Sequence, residues 1–191
     1  DVYKRQTVTG TAGNLVTAYG AQGSGIDGLG NEAVTVSSGS ASVSQVNTLT
    51  AATTGTVTAT VSDGDMSTLA GISESGNALT ITVTDTSAAA DALNTLDGKT
   101  TVAVSVNSTT ITGSVSDISS AYASSGISGL GNEAITASGT LTVAQANTLA
   151  GLTTGAVTST ITSGDMATLA GLSETGHAHT CLLYTSDAAD D

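Results

Sequence analysis

A unit of about a hundred residues is written twice along this chain. The segment VSQVNTLTAATTGTVTATVSDGDMSTLAGISESGNALT (43–80) returns as VAQANTLAGLTTGAVTSTITSGDMATLAGLSETGHAHT (143–180), identical at 23 of 38 positions. Upstream, GLGNEAVT (28–35) returns as GLGNEAIT (129–136), and TGTAGNLVTAYG (9–20) more loosely as TGSVSDISSAYA (112–123). Inside each long unit runs a shorter beat: an alternating run, a polar cap and a short helical pattern recur around Leu49, Leu69, Leu96, Tyr122, Leu149 and Leu169. The successive intervals are 20, 27, 26, 27 and 20 residues. A unit that small cannot enclose a core by itself, so it must bury its apolar face against the next one.

The alternating runs read as strands. In TVTATVS, Val57, Ala59 and Val61 are expected to face inward while Thr56, Thr58 and Thr60 face outward. ALTITVTD places Leu79, Ile81 and Val83 inside, and TVAVSVN does the same with Val102, Val104 and Val106. Period-two alternation of β-branched residues marks a half-buried strand. Between the strands, Ser42 with Gln45 and Thr142 with Gln145 have the spacing of capping boxes. Behind the second box, Val143, Ala146, Leu149, Ala150 and Leu152 fall on one helical face; Met66, Leu69 and Ala70 do so in the next beat, with Asp65 placed to cap. Helices of two or three turns do not persist alone and need a sheet beneath them.

Strand, short helix and strand at about 20–27 residues per turn predict parallel neighbours joined by right-handed crossovers. The expected fold is an α/β repeat solenoid, similar in plan to leucine-rich repeats but without their consensus. An all-β solenoid, in which the helical patterns are turns, is the alternative. Tandem immunoglobulin-like sandwiches are disfavoured, because they call for about seven strands per unit and usually an aromatic core, whereas this chain has no Trp or Phe.

The ends follow neither beat. DVYKRQ (1–6) and CLLYTSDAADD (181–191) resemble a translated transposon-end sequencing adapter, read in opposite senses at the two termini. They are expected to be adapter-derived, leaving 7–180 as one native repeat array with its second copy starting near 112. Within 7–180 there is no cysteine, Lys99 is the only strong base, and Tyr19 and Tyr122 are the only aromatic side chains of the Phe, Trp and Tyr class. The whole chain carries a formal charge of −13, which repels phosphate backbones and anionic lipid and argues against nucleic-acid partners. No apolar run approaches the length of a membrane span.

Several stretches invite a chemical reading. GSGIDGLGN (23–31) fits the core of a calcium-binding nonapeptide, with Asp27 and backbone carbonyls as Ca²⁺ ligands; it fits a glycine-rich turn equally, and its counterpart has Ser128 in place of Asp27. In SDGDM (62–66), Asp63 is replaced by Ser163 in the other copy while Asp65 persists as Asp165, a pattern expected of a helix cap rather than a carboxylate loop. His177 and His179 have a metal-ligand spacing on a strand, yet the first copy has Asn77 and Leu79 there, which favours a variable turn position and an inward strand residue. Glu32 and Glu133 recur once per unit without a repeated His or second carboxylate, so they do not form an acid–base pair. No Ser/His/Asp set is repeated either. The Thr-x-Thr rows suit an ice-binding face or simply solvated strands.

The recurring VAQANTLAGLTTGAVTSTI, SGDMATLAGL, ITVTDTSAAADALNTLDGKTTVAV and SGISGLGNEA resemble the Thr/Ala/Ser/Gly-rich arrays of very large bacterial cell-surface and adhesin-like proteins, some of which also carry hemolysin-type calcium-binding repeats. The resemblance implies an extracellular or cell-surface, non-enzymatic spacer or adhesive stalk. Its partners would be the neighbouring repeats of the same chain and a surface glycan or other cell-surface component. The alternative it implies is a calcium-dependent binding module, with an ice- or surface-binding solenoid behind that. No cofactor is expected beyond the calcium of that alternative.

Overall fold

A computed structural model describes residues 6–162, 164, 166–173 and 175–181. Every strand pairing in it is parallel. The fold is therefore α/β, with strands and short helices alternating in three parallel sheets and no closed barrel. Sandwiches of antiparallel strands are ruled out for the described residues. So is an all-β chain, since helices of eight to ten residues stand between the strands.

The chain divides into two compact units. Of the described residues, unit 1 takes those within 1–85, 92–107 and 125–129, and unit 2 those within 86–91, 108–124 and 130–191. In unit 1 the strands β1 (Thr7–Thr11), β2 (Ala33–Ser38), β3 (Val57–Thr60) and β4 (Ala78–Thr80) form a sheet in chain order. After Ile81 the chain runs on into β5 (Thr82–Val83), which pairs with β7 (Val104–Val106), itself beside β9 (Ile127–Ser128). Unit 2 holds β6 (Ser87–Ala89), β8 (Thr110–Gly113), β10 (Ala134–Leu141), β11 (Val157–Ile161) and β12 (Ala178–Cys181), again paired in chain order. Residues opposite one another in the strands are 20 to 27 positions apart, from Thr58 beside Ala78 to Thr11 beside Ser38. The strands β1 to β4 of the first copy correspond to β8, β10, β11 and β12 of the second.

The inward rows form as the alternation predicts. Val57, Ala59 and Val61 are buried, as are Leu79, Ile81 and Val83, while Thr56, Thr58, Thr60 and Thr80 are exposed. Outward threonines fall in register across strands, Thr9 beside Thr35 beside Thr58, and Thr112 beside Thr136 beside Thr158. One row departs from expectation: Val102 is 37 % exposed, and β7 begins only at Val104. The cause is Thr100, whose Oγ1 accepts the Leu79 N–H at 2.9 Å and the Val102 N–H at 3.2 Å. A side chain there replaces a ladder bond, and the backbone bends away before the pairing resumes.

Helices α1 (Ala12–Gly20), α2 (Val43–Ala52), α5 (Val115–Ala123) and α6 (Val143–Ala150) each begin at a Ser or Thr that accepts a backbone N–H of the first turn. Both expected capping boxes form, at Ser42 with Gln45 and at Thr142 with Gln145. Such a cap is worth about 1 kcal/mol, a large share of what a helix this short can gain. α4 (Ala90–Asp97) crosses between the two units along the chain, burying Ala90, Leu93 and Leu96. The single turns α3 (Met66–Leu69) and α7 (Met166–Leu169) bury less than expected: Leu69 is fully enclosed, but Ala70 is exposed and Met166 is 70 % exposed. Four residues offer one inward position, not a stripe.

Candidate functional site

Several of the polar residues that recur in both copies converge on the GLGNEA loops. Gly28 and Gly30 take positive φ (87° and 123°), as do Gly129 and Gly131 (88° and 128°), and these turns fold each loop back on its own glutamate. Oε2 of Glu32 accepts the N–H groups of Gly30 at 2.8 Å and Asn31 at 3.2 Å; Oε2 of Glu133 accepts that of Gly131 at 2.8 Å. A tyrosine from the preceding helix completes each site. Tyr19 of α1 donates its hydroxyl to Glu32 at 3.2 Å, and Tyr122 of α5 donates to Glu133 at 2.9 Å. Both glutamates are buried, at 8 % and 3 % exposure.

The next turn of the chain closes over these loops. Thr53 donates its hydroxyl to the Glu32 carbonyl at 2.6 Å and accepts the Gly55 N–H at 3.0 Å. Thr153 does the same with the Glu133 carbonyl at 2.6 Å and the Gly155 N–H at 2.9 Å. The N–H groups of Thr54 and Thr154 reach the carbonyls of Gly30 and Gly131, each at 2.9 Å. A Cβ at Gly55 or Gly155 would run into the glutamate carbonyl, so glycine is required there by contact rather than by φ.

Burial alone would raise the Glu32 carboxyl, but hydrogen bonds from the Gly30 N–H, its own N–H, the Tyr19 hydroxyl and the Asn31 N–H outweigh it and hold the group below the ordinary carboxylate value. Burial first, then the facing carboxylate, pushes the hydroxyls of Tyr19 and Tyr122 upward. A carboxylate held ionised by this many donors is a poor proton acceptor, and a tyrosine held protonated is a poor nucleophile. The arrangement fastens each loop to its glutamate and to a tyrosine of the helix before it.

Other polar groups join consecutive turns in the same way. Asn47 donates from Nδ2 to the Gly71 carbonyl at 2.7 Å and accepts the Ser73 N–H at 3.1 Å; Asn147 repeats both with Gly171 and Ser173 at 2.8 and 3.1 Å. Oδ2 of Asp63 accepts the first helical N–H of α2, from Val43, at 2.7 Å, and Oδ2 of Asp85 accepts that of α3, from Met66, at 2.7 Å. Asp65 caps α3 as expected, accepting the Thr68 N–H at 3.0 Å and the Ser67 hydroxyl at 2.7 Å, bonds that lower its carboxyl. Lys99 donates to the Ser73 carbonyl at 3.0 Å. Ser163 and Asp165 lie outside the described residues.

The rings of His177 and His179 stand 5.9 Å apart, and each is engaged through its Nδ1. Nδ1 of His177 accepts the Val157 N–H at 3.0 Å, the role that Oδ1 of Asn77 plays for Val57 at 2.8 Å. Nδ1 of His179 faces the Ser159 hydroxyl at 2.9 Å, where the first copy places Leu79 beside Ala59. Burial, with a smaller contribution from His177, lowers the His179 imidazole.

Asp27 is exposed in a tight turn in which the Gly23 N–H donates to the Ile26 carbonyl at 2.9 Å. Its counterpart Ser128 is a residue of β9, with its hydroxyl on the Val104 carbonyl at 3.2 Å, so the nonapeptide-like stretch occupies a strand position of the repeat. Among the described residues, no three His, Cys, Asp or Glu side chains gather to hold a metal ion. A polar hollow of about 450 Å³ beside the first loop is lined by Thr50, Thr54, Gly76 and Asn77 among others, with Glu74 as its one charged group. It has no partner for acid–base work. No helix of the described residues is long and apolar enough to cross a membrane.

The sequence reading found both glutamates but not their partners. The signal was present: the only two tyrosines of 7–180 stand 13 and 11 residues before Glu32 and Glu133, and a Thr-Thr-Gly follows each at 53–55 and 153–155. Compared with protein-family models, with curated proteins and with solved structures, the chain matches none.

Proposed function

We propose that this chain is a non-catalytic spacer or adhesive stalk segment of a large exported bacterial surface protein, built as an α/β repeat solenoid. One observation carries the reading: the polar side chains retained between the two copies bond each turn of chain to the turn beside it. Glu32 and Glu133 hold their own loops and a tyrosine, Thr53 and Thr153 fasten the next turn, and Asn47 and Asn147 reach the one after their helix. In an enzyme or receptor, retained polar groups converge on a space that a ligand enters. Here they converge on backbone. In a stack of this kind each turn covers its neighbour's apolar edge, so length is added without a larger core. The acidic, threonine-bearing exterior keeps such a stack hydrated and discourages lateral association.

The alternative function is a calcium-dependent binding module centred on Asp27, and one titration separates the two. Thermal melting followed by circular dichroism is recorded with and without calcium at a few millimolar, a range that saturates extracellular calcium modules. A spacer of this kind shows no shift in midpoint. A rise of several degrees that disappears in Asp27→Asn would replace it with the calcium module.

A further inference from the structure

We infer that the polar hollow beside the first GLGNEA loop receives a primary ammonium group, the end of a lysine side chain or of a free diamine. Helix α2 runs into it: Thr50, Ala51 and Ala52, its last three residues, all line the space. The carbonyls that end a helix have no intrahelical partner and carry the negative end of its dipole. The N–H groups that would close this end are used elsewhere. That of Thr54 donates to the Gly30 carbonyl at 2.9 Å, and that of Gly55 to Oγ1 of Thr53 at 3.0 Å. Among the described residues no hydrogen bond reaches the carbonyls of Thr50, Ala51 or Ala52. The turn at 74–77 supplies the rest of the wall, with Glu74, Ser75 and Asn77.

Such a wall is rich in acceptors and holds a single charge, the Glu74 carboxylate. Lys99, the only strong base of 7–180, does not line it and donates instead to the Ser73 carbonyl at 3.0 Å. The Asn77 amide is buried and already engaged, through Oδ1 with the Val57 N–H at 2.8 Å and through Nδ2 with the Ser75 carbonyl at 3.4 Å. An anion would be repelled here, and an apolar group would leave the carbonyls without donors. A space of about 450 Å³ with one carboxylate suits a metal ion poorly, and among the described residues no three ligating side chains gather. A primary ammonium brings three N–H donors and the opposite charge. The second copy lacks the same lining: Ala150, Ala156 and His177 replace Thr50, Thr56 and Asn77. Its helix α6 also ends at Ala150, where the Gly151 N–H turns back to the carbonyls of Asn147 and Leu149. The inference goes beyond the spacer reading and does not rest on it.

The test titrates the intact chain, labelled with nitrogen-15, and follows its backbone amide shifts. The probes are putrescine and Nα-acetyl-lysine N-methylamide, with tetramethylammonium chloride as a cation that has no N–H to donate, all at matched ionic strength. Both amines are expected to give saturable shifts at Thr53, Thr54, Gly76 and Asn77, and none at Thr153, Thr154, Gly176 or His177. Glu74→Gln should weaken binding about tenfold while the amides of β1 and β2 keep their positions. Tighter binding of the lysine amide than of putrescine assigns the site to a protein side chain, and the reverse assigns it to a free amine. Shifts that do not saturate at tens of millimolar amine, equal shifts with tetramethylammonium, equal shifts in the second copy, or unchanged affinity in Glu74→Gln would each overturn the inference. None of these outcomes bears on the spacer reading.

Discussion

Tyr122 and Glu133 form the tighter of two equivalent pairs, 2.9 Å from hydroxyl to carboxylate against 3.2 Å for Tyr19 and Glu32, but the second glutamate has fewer donors around it. Glu32 accepts from Gly30, Asn31 and Tyr19; Glu133 accepts from Gly131 and Tyr122, and its Oε1 is buried without a partner. A buried acceptor left unsatisfied costs more than a hydrogen bond formed contributes. Tyr122→Phe should therefore destabilise more than Tyr19→Phe. A hydrogen bond to a charged group is worth roughly 1.5–3 kcal/mol, so losses near the upper and lower ends of that range are expected respectively. Urea melts of the two variants make the comparison, and equal losses would mean that the donors around Glu32 do not share its charge.

Gly55 and Gly155 should tolerate no side chain. A methyl group at either meets the carbonyl of the facing glutamate, which is itself fixed by Thr53 or Thr153. Neither glycine has positive φ, so the cost comes from displaced backbone and the Thr–Glu bond lost with it. Gly55→Ala and Gly155→Ala should each lose about 1–3 kcal/mol, the usual range for overpacking. Gly13→Ala, in α1 with open space around it, should cost nothing or stabilise slightly. Thermal melts of the three variants check the contrast.

Much of this architecture is legible in the sequence because its elements are set by local rules. Alternation fixes which of Val57, Thr58, Ala59 and Thr60 turn inward, and Ser42 or Thr142 three residues before a glutamine fixes where a helix starts. The failures are cases where a distant partner overrides the local pattern. Val102 continues a flawless valine alternation, yet Thr100 bends the chain to satisfy Leu79, 21 residues earlier. The role of Glu32 depends on Tyr19 and Thr53, which lie on either side of it in sequence and meet it only after the turns have stacked. The equivalence of His177 with Asn77 is likewise invisible as chemistry, since only geometry shows an imidazole nitrogen accepting the bond an amide oxygen takes.

Asn47 and Asn147 offer a measure of how strongly one turn holds the next. Each ties its helix to a loop 24 to 26 residues later through both its donor and its acceptor. Asn47→Ala removes both bonds but leaves partly solvated partners, so about 1–2 kcal/mol is expected, and Asn47→Asp, which keeps the acceptor alone, should recover part of it. Hydrogen exchange at Ser73 provides the local reading: faster exchange there, with β1 and β2 unchanged, is the expected pattern.

Acid should loosen the described end of unit 2 before the rest. The folded His179 imidazole lies below its ordinary value because burial disfavours its charged form, with His177 adding to the effect. A depressed folded value means that the unfolded chain binds the extra proton first. The associated stability is complete above the ordinary imidazole range near pH 6.5 and is lost as pH falls through the folded value. Glu32 is also depressed, but its contribution persists until the pH drops below the carboxylate range. Between pH 7 and 5 the loss should therefore come from His179, and the double variant His177→Asn, His179→Leu, which restores the residues of the first copy, should flatten it. Melting midpoints across that window decide the matter: a slope unchanged in the double variant would assign the acid sensitivity elsewhere.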